Sequence, residues 1–91
     1  MSEKKPDDLI RAKEFLGQVS KDLELNPEII DEVMPYLLGM TKHIAHDVVR
    51  PAAPLAAFLV GLSAQNADVE VIKQRIAEVE EAVKGYRDGQ A

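Results

Sequence analysis

From Pro51 to Ala67 the chain carries no charged residue, although 30% of its 91 residues are Asp, Glu, Lys or Arg. The run reads PAAPLAAFLVGLSAQNA. Both prolines fit the first turn of a helix, where the early amides have no intrahelical acceptor. Beyond them Leu55, Phe58, Leu59 and Leu62 share one stripe, and Ala53, Ala57, Gly61 and Ala64 a second, flatter one. A helix that is apolar all round is normally buried on every side. A domain this small rarely buries one helix completely. The helix, expected over about 52 to 65, is therefore either central or meets a partner with its alanine and glycine side. Its polar tail and proline start leave it short of the roughly 20 apolar residues that span a bilayer.

The rest of the chain is amphipathic at helical spacing. Leu9, Ala12, Leu16, Val19 and Leu23 recur at 3, 4, 3 and 4 and are widened by Phe15, which predicts a helix over about 8 to 24 with Asp7 or Asp8 as its N-cap. Asn26 then caps a restart in which Pro27 suits the first helical position and Glu28 the positive end of the dipole. Pro35 disfavours a helical Met34 and removes a donor, so the expectation is a short piece at 27–33, a break near 34 and a longer helix at 35–49. Arg50 precedes Pro51 and is biased out of the helical region, which makes RPAAP a corner. After a loop at QNAD, with Asp68 as N-cap, Val69, Ile72, Ile76, Val79, Val83 and Tyr86 form the cleanest stripe, and fraying is expected from Gly85.

No segment alternates like a strand. The expectation is an all-α, small four-helix bundle with a short extra helical turn before the second long helix. It has a tail at 1–6, a single domain at 7–86 and a tail at 87–91. The expected core takes Leu16, Val19 and Leu23 from the first helix and Leu37, Ile44 and Val48 from the second. It adds Leu55, Phe58, Leu59 and Leu62 from the third and Ile72, Ile76, Val79 and Val83 from the last.

Charge and composition narrow the function. A net charge of -5 opposes general affinity for nucleic acid or anionic membranes. The chain has no cysteine, which removes disulfides and thiolate metal sites. The start MSEKKPDDLI has no apolar run behind its charges, so it does not read as a secretory signal, and a soluble cytoplasmic protein is expected. No glycine cluster forms a phosphate loop, and none of the three serines sits in a nucleophile turn. The charge-free third helix also lacks the polar and basic residues of a DNA-recognition helix.

One constellation invites chemistry. His43, His46, Asp47 and Arg50 share a helix face. Its simplest reading is a solvated face in which His43 pairs with Asp47, while His46 and Arg50 favour the negative helix end. A second reading is an anion or partner site: Arg50 and His46 would act with the free amides of Ala52 and Ala53 between Pro51 and Pro54. A third is a metal held by His43 and Asp47, for which the sequence supplies no third ligand. Glu80 and Glu81 read as solvated charge.

The stretch IAHDVVRPAAPLAAFLVGLSA resembles the core of a small actinobacterial helical domain of unknown function. That family carries an Ala-His pair, Arg-Pro-Ala-Ala-Pro, then an apolar helix ending in Gly-Leu-Ala. The matching residues here are Ala45, His46, Arg50, Pro51, Ala52, Ala53, Pro54, Phe58, Leu59, Val60, Gly61 and Leu62. LELNPE similarly resembles the family's Leu-Gly-Leu-Asp-Pro turn. The likeness covers about residues 8 to 84, and its specific part is 44–64. The family is found alone or after molybdenum cofactor guanylyltransferases, so the resemblance implies a context in molybdopterin-guanine dinucleotide biosynthesis. The transferase's nucleotide motif is absent, so its reaction is not implied.

The expected function is a non-catalytic accessory or interaction module with no cofactor, binding a protein partner or a second copy of itself. Its surface would be the His46–Pro54 corner with Ala53, Ala57, Gly61 and Ala64. The alternative is a small anion- or nucleotide-binding domain at Arg50–Pro54.

Overall fold

A computed structural model describes residues 6–65 and 68–90, and over these the chain is all-α, with no strand. Four helices follow in order: α1 (Pro6–Asp22), α2 (Pro27–Asp47), α3 (Ala52–Ser63) and α4 (Val69–Gln90). Residues 66 and 67 of the loop expected between the third and fourth helices, and most of the expected N-terminal tail, lie outside the described residues. The chain divides into two units, Met1–Glu32 and Val33–Ala91, with the division inside α2.

In the first unit α1 begins at Pro6, so Asp7 and Asp8 lie in its first turn rather than capping it. There they still favour the positive end of the helix dipole. Leu16 and Val19 are half-buried, whereas Phe15 and Leu23 are exposed and are not core residues. The helix closes with two bonds: Leu25 N–H donates to the Ser20 carbonyl at 2.8 Å and Glu24 N–H to that of Lys21 at 3.0 Å. This is a Schellman motif, and it requires Glu24 to adopt the left-handed conformation, φ 62°. Asn26 caps α2 as expected, its Oδ1 accepting from Glu28 N–H at 2.9 Å.

Contrary to the expected break, α2 runs unbroken through Pro35, with no separate short helix at 27–33. Pro35 removes the amide that would donate to the Asp31 carbonyl. Both residues are exposed, so water can take that acceptor. Val33 and Met34, between them along the helix, are buried.

The core of the second unit gathers Met40 and Ile44 from α2, Ala53 and Val60 from α3, and Ile76 and Val83 from α4. Met40 is fully buried. Leu37, Val48, Ile72 and Val79 pack around this cluster, as expected. The third helix departs from expectation. Its buried face is the small one, with Ala53 and Ala64 inside and Ala57 against the cluster, while Leu55, Phe58, Leu59 and Leu62 face water. Within the second unit, α3 and α4 pack closely backbone to backbone. Small side chains at the contact allow that approach, and leucines would hold the helices apart. Asp68 caps α4 as expected, Oδ1 accepting from Val71 N–H at 3.1 Å. The helix continues through Gly85 to Gln90, past the point where fraying was expected.

Candidate functional site

Three places in the second unit could carry function: the α2–α3 corner, the α2–α4 seam and the outer face of α3.

At the corner, α2 ends at Asp47 and α3 starts at Ala52. The Ala52 amide donates to the Val49 carbonyl at 3.1 Å and the Ala53 amide to the Arg50 carbonyl at 3.0 Å. These two donors are therefore not free for an anion, and Pro51 and Pro54 have none to offer. The reason is the tight turn that RPAAP adopts before the helix: it folds each amide back onto a carbonyl three residues earlier. His46 and Arg50 are exposed, and among the described residues neither side chain makes a hydrogen bond or ion pair.

Along the seam, His43 pairs with Glu80, not with Asp47. Its Nδ1 lies 2.8 Å and 3.0 Å from the two carboxylate oxygens. A carboxylate only accepts, so Nδ1 carries the proton and donates it. Asp47 instead meets Arg87 at 3.7 Å. About two turns towards the N-terminus, Lys73 Nζ stands 4.8 Å over the Tyr36 ring. These pairs occur in the same order along both helices, so α4 runs in the same direction as the second half of α2. Among the described residues no group of three His, Asp or Glu could hold a metal. Sequence reasoning missed Glu80 and Arg87 as partners because each lies on a helix remote in sequence. The trace that a shared seam leaves in the sequence is spacing: Lys73, Glu80 and Arg87 at seven and seven, beside Tyr36, His43 and Asp47 at seven and four.

On α3 the outward stripe is Leu55, Phe58, Leu59 and Leu62, exposed by 64, 65, 60 and 51%. Pro51, Pro54 and Gly61 are exposed on the same helix start and flank, and no charge interrupts the face. Of the proposed helix interface, Ala53 and Ala64 are buried in the chain's own core and Ala57 packs on it, so only Gly61 remains available. Between α3 and α4 lies an open groove of about 320 Å³, lined by Leu59, Val60 and Ser63 on one side and Arg75, Val79 and Ala82 on the other. The Nε–H of Arg75 is buried there, with no hydrogen-bond partner among the described residues. Its Nη1 reaches Glu78 at 3.4 Å.

Residues 7–91 match the domain of unknown function DUF6457. The chain belongs to that family. No curated protein and no solved structure matches it. Within this DUF6457 chain, no helix of the described residues is long and apolar enough to cross a membrane.

Proposed function

We propose that this DUF6457 chain is a non-catalytic accessory module that binds another protein through the outer face of α3. The observation that carries the reading is the exposure of four large apolar side chains on one charge-free helix. They hold on the order of 400 Å² of surface in water, the size of the largest apolar patch on a typical monomer, which is often functional. A helix laid against a groove or another helix through positions i, i+3, i+4 and i+7 is a common recognition mode, and 55, 58, 59 and 62 have that spacing. His46 and Arg50 precede the helix start and supply the kind of polar group found at the rim of such a centre. The reading involves no catalytic residue and no cofactor.

The resemblance of residues 44–64 supports a context in molybdenum cofactor guanylylation, in an actinobacterial cytoplasm. The direct test is titration of the chain into a molybdenum cofactor guanylyltransferase from the same cell, followed by calorimetry. Saturable binding that Phe58→Glu abolishes, with helicity unchanged by circular dichroism, is the expected result. No heat in the wild type removes the guanylylation context. Binding that survives Phe58→Glu removes the α3 face.

A further inference from the structure

We draw no further inference here: the strongest candidate, the charge-free outer face of α3 with the groove between Leu59 and Val79 beside it, belongs to the site already described, and nothing in the structure shows what covers it.

Discussion

Glu24 stands at the one left-handed backbone position among the non-glycine residues described. A Cβ there crowds the following carbonyl and costs roughly 1–2 kcal/mol. Glycine avoids the clash, and in the Leu-Gly-Leu-Asp-Pro turn that LELNPE resembles, glycine falls at this position. Glu24→Gly should therefore stabilise the chain by about 0.5–1 kcal/mol, the clash relieved less the added entropy of the unfolded chain. Urea unfolding measures it, and a lower midpoint would contradict the strain. The His43–Glu80 pair invites the opposite expectation. Its contact is short, but the His43 side chain is 53% exposed, so water screens it. Glu80→Gln should change stability by less than about 1 kcal/mol. A thermal-melt difference well beyond that would give the seam a structural weight that its exposure does not suggest.

At the scale of the element, Pro35 and α3 teach different lessons about what a sequence carries. The caps at Asn26 and Asp68 were readable because a cap is a local bond between neighbours in the chain. Pro35 makes no break, because its cost depends on which side of the helix the missing amide falls, and tertiary burial rather than local sequence sets that. With the Asp31 carbonyl in water, the cost is lowered but not removed. Pro35→Ala should stabilise by about 1–3 kcal/mol, the helix-interior cost of proline less its benefit in the unfolded chain. Chemical denaturation with α2 helicity as the probe checks this. The orientation of α3 was not readable for another reason. Both of its stripes are apolar, so periodicity cannot choose between them. The choice falls to packing distance against α4, which favours alanine. Truncations should show which face is inside. Met40→Ala should cost about 2–5 kcal/mol. Leu55→Ala should cost less than about 0.5 kcal/mol, measured at a concentration where the chain is monomeric. Equal costs would mean that the leucine stripe belongs to the core after all.

At the scale of the whole molecule, the all-α class and the four helices were open to sequence reasoning, because stripes at spacings of three and four recur along the chain. The pairings across the seam and the groove beside Leu59 were not, since each joins residues tens of positions apart. The charge-free surface of α3 has a consequence for how the protein behaves as a colloid. Solubility rests on the repulsion of acidic molecules, and that repulsion fades as pH falls towards the isoelectric point near 4.9. The α3 face has nothing to titrate, so its stickiness does not change with pH. The chain should salt out most readily near that pH, and Phe58→Glu should shift the turbidity maximum down in height. A wild type equally clear at pH 4.9 and pH 7 would mean that this face is already covered in solution.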